Sequence, residues 1–255
     1  MSVISRQLRL IAPDAIPEIL PGDELAPALV GGLRHIGETL CPGDVVVFAQ
    51  KIVSKSENRL VRLQQVCPGE AALALAAETG KDPRLVELIL LESTEIVRKR
   101  ENLIIARHRN GCVVANAGID LSNSGEAETA VLLPEDSDRS AERLAGSIEA
   151  LTGCTVAVIV SDSMGRAWRS GTTGTAIGAY GLAALQDRRG ACDREGNILQ
   201  SSEIAIADEI AAAASLLMGQ GDESLPAVVV RGLEWVAGSG RAADLVRPPE
   251  TDLFR

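Results

Sequence analysis

The sequence has very few of the residues that build histidine- or ring-based sites. Its 255 residues include two histidines, His35 and His108, and only 2% are aromatic. Two histidines argue against a Ser-His-Asp triad and against a metal centre built from several histidines. The scarcity of rings argues against a flavin-binding or base-stacking platform, although Trp168 and Tyr180 both lie in a glycine-rich segment. Metal chemistry would have to rest on carboxylates.

Cysteine pairs are missing as well. The five cysteines are widely spaced, odd in number and form no CxxC motif. That pattern predicts reduced thiols rather than a zinc site or a disulfide framework. The cysteines are Cys41, Cys67, Cys112, Cys154 and Cys192.

The sequence also lacks an excess of positive charge, a long apolar run and a linker. The net charge of −10 argues against non-specific binding to nucleic acid or anionic membranes, but a phosphorylated ligand screened by metal ions stays compatible. No apolar run approaches the length of a membrane span, and the N-terminal MSVISRQLRL has no signal-peptide core, so we expect a cytoplasmic protein. No Pro- or Ser-rich linker divides the chain, which predicts one folded unit.

Two familiar nucleotide-binding signatures are absent. No GxxxxGK[ST] P-loop occurs, and the glycines between positions 171 and 181 do not form a GxGxxG fingerprint. If the protein uses a nucleotide, it must do so on a less common scaffold.

The most informative segment that is present covers residues 155–182. Residues 156–160, VAVIV, are apolar at every position, which is typical of a buried strand. Asp162 and Ser163 follow at the predicted end of this strand and offer the oxygen ligands that Mg²⁺ or Mn²⁺ accepts. Arg166 and Arg169 add positive charge nearby. The segment predicts a polyanion site, and a surface loop without function is the alternative.

Glycines in the same segment support the hypothesis of an anion site. Glycine permits left-handed dihedrals and close backbone approach, so amide groups could line an anion-binding hollow. We therefore expect a glycine-rich turn after the strand. The glycines concerned are Gly165, Gly171, Gly174, Gly178 and Gly181.

Helix and strand patterns are interleaved along the chain, which indicates a mixed α/β fold. Helices are predicted after the turn at residues 21–23, at 84–91 behind the Asp82-Pro83 start signal, at 140–151 before Gly153, and at 202–218. Strands are predicted at 45–49, 94–97, 103–106, 112–115 and 227–230, the middle three as an antiparallel meander.

Two shorter clusters could contribute to a phosphate site. Gln50, Lys51 and Lys55 follow the strand at 45–49, and lysine is a natural partner for a nucleotide phosphate. Solvated lysines on an edge strand are the alternative. Asp120 and Asn123 lie three residues apart in NAGIDLSNS, where an acid can bind a metal and an amide can contact a nucleotide. A simple Asp/Asn-rich turn is the commoner explanation of such a string.

Taken together, these segments resemble the coenzyme F420-0:γ-glutamyl ligase family almost from end to end. The resemblance implies an α+β (mixed α/β) fold of two intimate subdomains in an intertwined homodimer. It also implies a GTP-dependent reaction that adds L-glutamate through γ-linkages to coenzyme F420-0 via an acyl phosphate, assisted by two Mg²⁺ or Mn²⁺ ions and a monovalent cation such as K⁺. The matching segments are AIPEILPGDEL, GDVVVFAQKIVSKSENR, NAGIDLSN, SDSMGRAWRSGTTGTAIGAYGL, the D-x-x-G at 193–196, SEIAIADEIAAAASLLMGQGDE and PAVVVRG.

The resemblance also implies roles for individual residues. Alanine at position 15 replaces the glycine that is usual in the family's first nucleotide-contacting turn. Gln50, Lys51 and Lys55 match the family's phosphate-side strand, and Lys55 is the favoured phosphate contact. Asp162, Lys55 and Arg166 are expected at the reacting phosphoryl group. The implied metal ligands are Asp120, Asp162, Ser163 and Gln220. The implied nucleotide contacts are Ala15, Ile16, Pro17, Glu18, Gln50, Lys51, Lys55, Asn123, Met218, Gly219, Gln220, Gly221, Asp222, Glu223, Ser224 and Leu225.

Residues 1–255 are expected to form a single catalytic domain without the C-terminal nitroreductase-like domain of some relatives, and hence without a flavin-dependent step. Two other classes of protein stay open at this point. A metal-dependent kinase or phosphatase for small molecules would use the same acids but would show no dependence on glutamate. A non-catalytic carrier of a deazaflavin or nucleotide would bind its ligand without hydrolysis.

Overall fold

Helices and strands alternate along the chain, and the mixed α+β class predicted from the sequence is confirmed. The structure is a computed structural model that describes residues 7–121 and 128–253, so the predicted contact Asn123 lies outside the described residues. The helices are α1 (Leu25–His35), α2 (Gln50–Ser56), α3 (Glu70–Thr79), α4 (Pro83–Glu92), α5 (Ser137–Thr152) and α6 (Ile206–Met218). The strands are β1 (Arg9–Ile11), β2 (Val45–Ala49), β3 (Leu60–Arg62), β4 (Ser93–Arg100), β5 (Leu103–His108), β6 (Val113–Ala115), β7 (Thr129–Val131), β8 (Ala157–Arg166), β9 (Arg169–Tyr180), β10 (Gln186–Asp187), β11 (Glu203–Ile204) and β12 (Ala227–Arg231).

A five-stranded sheet in the order β1-β12-β2-β8-β9 forms the centre of the molecule. Strands β2 and β8 run parallel, with Val45 opposite Ala157 and Ala49 opposite Ser161, and the other pairs in this sheet are antiparallel. Helices α1 and α5 cover one face, and α6 covers the other. Because both faces are covered, the central strands are apolar at successive positions, as the sequence predicts for residues 45–49 and 156–160.

A second hydrophobic core lies between α3, α4 and two smaller sheets. The sheet β4-β5-β6 is the predicted antiparallel meander, and β3 pairs with β7. Helix α4 begins as predicted, since the Asp82 side chain accepts a hydrogen bond from the Arg84 amide at 2.8 Å and Pro83 occupies the first turn. None of the helices in the described part of the chain has the length and apolar character that a membrane span needs.

The glycine-rich segment is a long strand hairpin, so the prediction of a glycine-rich turn after Val160 was wrong. Strand β8 continues through Asp162 and Ser163 as far as Arg166, and β9 returns beside it. Two glycines in β9 face helix backbone rather than a ligand. A Cβ built on Gly174 would overlap the carbonyl of Ala211, and one on Gly178 would overlap the carbonyl of Ser137. These glycines therefore admit the close approach of α6 and α5.

Carboxylates from these two helices also protect the edge strand β9. The Asp208 Oδ1 atom accepts a hydrogen bond from the Ala176 amide at 2.9 Å, and the Asp138 Oδ1 atom accepts one from the Ala179 amide at 2.8 Å. Unpaired amides on an edge strand invite pairing with another chain. The two acids satisfy these amides within the chain and fasten the hairpin to both helices.

Several predicted element boundaries or types differ from the observed ones. Residues 50–56 form helix α2, not an edge strand. Helix α6 begins at Ile206 rather than at residue 202, because Glu203 and Ile204 pair with β10. Helix α5 begins at Ser137, three residues early, where Asp136 caps it by accepting a hydrogen bond from the Arg139 amide at 3.0 Å. Its end at Gly153 agrees with the prediction.

A buried ion-pair cluster links the end of α4 to the segments just before β3 and just after β5. Glu92, at the end of α4, accepts hydrogen bonds from Arg59 Nη2 at 2.8 Å and Arg109 Nη2 at 2.7 Å. Burial by itself would raise the pKa of this carboxyl, but His108, Arg109 and Arg59 outweigh it and lower the pKa to about 2. Glu92 is therefore ionised under ordinary conditions and holds two arginines from different segments.

We expect Gly178→Ala to destabilise the fold. The added methyl group would have to displace the α5 backbone at Ser137, and overpacking of this kind costs roughly 1–3 kcal/mol or more. Urea unfolding followed by circular dichroism measures the change. Gly146→Ala is the matched control, because that glycine lies on the exposed side of α5 with open space around it. This control should gain roughly 0.5–1 kcal/mol, and equal effects of both variants would contradict the packing argument.

Candidate active site

A cavity of about 660 Å³ opens where β2 ends beside the middle of β8. The pairing of Ala49 with Ser161 places the start of α2 next to Asp162. Residues from the 3₁₀ turn after β6 and from the loop after α6 complete the wall. Hereafter we call this the acid cavity. The predicted site residues that line it are Gln50, Lys51, Asp120, Asp162, Ser163, Met218, Gly219, Gln220, Gly221, Ser224 and Leu225.

Lys51 and Asp120 form an ion pair inside the acid cavity. The Lys51 Nζ atom lies 2.7 Å from Asp120 Oδ2. Lys51 is in the first turn of α2, while Asp120 is fixed by two backbone hydrogen bonds to Val131, at 2.8 and 3.1 Å. Two groups that the sequence predicts from separate segments therefore meet, and they place a positive charge beside a predicted metal ligand.

Asp162 carries a carboxyl group whose pKa is raised to about 6. Burial is the largest cause, and the charge of Asp120 adds to it. The amide of Ser163, which donates to Asp162 Oδ1 at 2.8 Å, and the charge of Lys51 act in the opposite direction. A half-buried acid beside a second acid disfavours its own ionised form, and a bound cation would reverse that preference.

Gln220 and Ser163, two further predicted metal ligands, are bonded to each other. The Gln220 Nε2 atom donates to Ser163 Oγ at 2.7 Å, which joins the loop after α6 to strand β8. With Asp120 and Asp162 they supply carboxylate, hydroxyl and amide oxygens, the hard donors that suit Mg²⁺ or Mn²⁺. Within residues 7–121 and 128–253, no three His, Cys, Asp or Glu side chains cluster as a metal site would. An ion here would need the hydroxyl, the amide or substrate oxygens as well.

The loop of residues 218–225 turns through two left-handed positions. Gly219 has φ +69° and Ser224 has φ +56°. Glu223 folds back onto this loop, and its Oε2 atom accepts a hydrogen bond from the Gly221 amide at 2.7 Å. The pKa of Glu223 is lowered by its own amide and by those of Gly221 and Gln220. Asp222 and Glu223 belong to the predicted nucleotide contacts but do not line the acid cavity.

A strained turn at residues 116–118 contributes Asn116 and Gly118 to the wall of the acid cavity, and neither was among the predicted site residues. Asn116, Ala117 and Gly118 have φ values of +51°, +54° and +72°. The left-handed conformation costs a non-glycine residue roughly 1–2 kcal/mol, and such strain clusters at functional sites. Among the described residues, the buried Asn116 Oδ1 atom has no hydrogen-bond partner. The Asn-x-Gly pattern, typical of left-handed turns, was the available signal.

Lys55 and Glu18 line a separate cavity of about 580 Å³ on another side of α2. The Lys55 Nζ atom lies 3.5 Å from Glu18 Oε1. The predicted first nucleotide-contacting turn also contains Ala15, Ile16 and Pro17. Ala15 and Pro17 are exposed, and Ile16 packs against the core on the α1 and α5 side of the central sheet. The structure therefore brings Lys51, rather than the favoured Lys55, to the two acids. Both lysines are on a helix, so the predicted phosphate-side strand was wrong.

Arg166 and Arg169 do not converge with Asp162. They lie opposite each other at the exposed tip of the β8–β9 hairpin, and neither lines the acid cavity. Arg166 Nη2 donates instead to the carbonyl of Ser170 at 3.4 Å. The reason is the length of β8, since four further residues of strand carry the chain roughly 13 Å beyond Asp162.

Comparison with known proteins identifies the family of this chain. The model of the family described as F420-0:gamma-glutamyl ligase matches residues 14–232. The coenzyme F420:L-glutamate ligase of Methanothermobacter thermautotrophicus is 44% identical over 97% of this chain and 99% of its own length. The enzymes of that name from Methanocaldococcus jannaschii and Archaeoglobus fulgidus are 44% and 42% identical, over 84% and 95% of this chain and 85% and 94% of theirs. The chain belongs to the F420-0:gamma-glutamyl ligase family and is an enzyme of the ligase class.

Proposed function

We propose that this protein adds L-glutamate through γ-linkages to coenzyme F420-0 in coenzyme F420 biosynthesis, with GTP as the energy source and an acyl phosphate as the intermediate. Family membership and the names of the relatives support the two substrates. The observation that carries the chemistry is the acid cavity, where Asp120, Asp162, Ser163 and Lys51 meet. Carboxylates, a hydroxyl and an ammonium group in one cavity are suited to phosphoryl transfer.

The donor set fits divalent cations. Asp120, Asp162, Ser163 and Gln220 would hold two Mg²⁺ or Mn²⁺ ions, which would neutralise the phosphate charge when bound. On the strength of the family resemblance, the proposal also includes a monovalent cation and a homodimer. It likewise includes Asn123 as a nucleotide contact and Arg166 at the reacting phosphoryl group.

The proposed reaction needs positioning rather than a protein nucleophile. A carboxylate oxygen of the precursor attacks the γ-phosphorus of GTP, and the bond to the β-phosphate oxygen breaks to release GDP. The amine of glutamate then attacks the acyl carbon, loses a proton, and inorganic phosphate leaves. Lys51 would balance charge on the transferring phosphoryl group, because its ammonium stands beside Asp120. Lys55 and Glu18 would contact another part of the nucleotide.

Mass spectrometry of coenzyme F420-0 incubated with the protein, GTP, L-glutamate and Mn²⁺ tests the reaction. We expect mass increments of whole glutamyl units that disappear when any one component is omitted. The number of increments counts the residues added. Consumption of GTP without a glutamyl product would contradict the ligase proposal and favour a kinase or phosphatase.

Methionine substitution of the two lysines of α2 tests which one faces the reacting phosphate. We expect Lys51→Met to lower kcat about 100-fold or more, as loss of a transition-state contact does. Lys55→Met should mainly raise KM for GTP. Lys99→Met is the control, since this exposed lysine pairs with Glu78 outside both cavities. A larger loss of kcat in the Lys55 variant would overturn the assignment.

Asp162→Asn tests how much burial of the Asp162 carboxyl group destabilises the fold. The carboxyl pKa rises from 3.8 to about 6 on folding, so the wild type loses stability as the pH rises through this window. Without metal, the variant should therefore be more stable than wild type above about pH 6, by on the order of 1–3 kcal/mol, and should show no advantage below about pH 4. Chemical unfolding in the presence of a chelator measures the difference.

Added Mn²⁺ should reverse this order. Saturation to about 100 times the dissociation constant stabilises a binding protein by about 2.7 kcal/mol, and the variant should gain much less. Glu142→Gln on the exposed face of α5 controls for loss of one charge and should change the free energy of unfolding by at most about 0.5 kcal/mol. Equal stabilisation of wild type and Asp162→Asn by Mn²⁺ would remove Asp162 from the metal ligands.

A further inference from the structure

In the loop after α6, the carboxylate of Glu223 lies against backbone amides of the same loop. The Glu223 carboxylate accepts a hydrogen bond from the Gly221 amide at 2.7 Å. The amides of Gln220 and of Glu223 itself also stabilise the ionised carboxylate. Backbone amides that point at one anion from neighbouring residues form a concave arrangement of the kind that also binds phosphate oxygens.

Gly219 lies directly against the same carboxylate. Its φ is +69°, and a Cβ placed on it would overlap the Glu223 carboxyl group. The absence of a side chain at this position therefore lets the carboxylate lie directly on the loop. Glu223 is seated in a space that the backbone leaves open for it, although its own side chain is exposed to solvent.

The groups next to this loop are paired with each other in the same way. Lys51 is bonded to Asp120, and Gln220 is bonded to Ser163. The Gly221 amide is bonded to Glu223. Lys51, Gln220 and the Gly221 amide, three groups that could donate to a nucleotide phosphate, thus each have an acceptor from the chain.

We propose that the Glu223 carboxylate is a resident competitor that occupies the loop amides where a nucleotide phosphate binds, and that it must leave them before the phosphate enters. This inference rests on the proposed use of GTP. The competitor lowers the apparent affinity in proportion to the fraction of molecules in which the amides are free. After the reaction, return of Glu223 to the amides would help to release the diphosphate product.

Titration calorimetry with GDP and Mg²⁺ tests the competition without relying on turnover. We expect Glu223→Gln to bind GDP roughly 3- to 10-fold more tightly than wild type, because a neutral amide competes less well than a carboxylate for the backbone donors. Asp222→Asn removes the same charge one residue away and measures the effect of charge alone. It should give a smaller gain than Glu223→Gln. Equal gains in both variants, or weaker binding by Glu223→Gln, would overturn the proposal.

Inorganic pyrophosphate is the second probe, because it has neither base nor ribose. The fold gain from Glu223→Gln should be similar for pyrophosphate and GDP if the amides bind phosphate. A gain confined to GDP, or no binding of either probe to any form, would overturn the inference. Failure of the ligase proposal would be distinguishable from failure of this inference. In that case Glu223→Gln would still bind GDP more tightly than wild type, but the mass spectrum would show no glutamyl product. Circular dichroism confirms that each variant is folded.

Discussion

The parallel pairing of β2 with β8 is the constraint on which the site depends. Both strands are buried on both faces, and each buried aliphatic side chain contributes roughly 1.5–3 kcal/mol, so a slip in register would be costly. The register fixes Ala49 opposite Ser161. Ala49 also donates its amide to the Pro226 carbonyl at 2.8 Å, which brings in the end of the 218–225 loop. One strand pairing thus collects Lys51, Asp162 and the loop at one cavity.

The outer side of β8 is stabilised by backbone contacts rather than by large side chains. Strand β9 is clamped between α5 and α6, whose carbonyls lie against Gly178 and Gly174. Asp138 and Asp208 hold two of its outward amides. Because β9 is fixed on both sides, β8 continues as a strand past Asp162 and Ser163, with an irregularity in its pairing between Val160 and Ser161. The same rigidity carries Arg166 away from the acids.

Sequence patterns predicted the buried strands, the helix limits at Asp82 and Gly153, and the acids themselves, because these depend on local composition and on chain position. They failed for β9, whose glycines, serines and threonines have the composition of a loop. Its strand forms because two helices need small residues opposite them, which is a tertiary requirement. Nor could spacing distinguish Lys51 from Lys55, since both are on α2 and the neighbouring segments decide which cavity each one enters.

The charge balance of the acid cavity links metal and nucleotide. Within the described part of the chain, the charged side chains that line it are Lys51, Asp120 and Asp162. Two carboxylates against one ammonium leave an excess of negative charge on the wall, and burial, with a smaller contribution from the charge of Asp120, raises the pKa of Asp162. A triphosphate would meet repulsion there unless cations entered with it. A site of this composition would therefore take up divalent ions and nucleotide phosphates together, and both would have to compete with the Lys51–Asp120 and Gln220–Ser163 contacts that line the cavity.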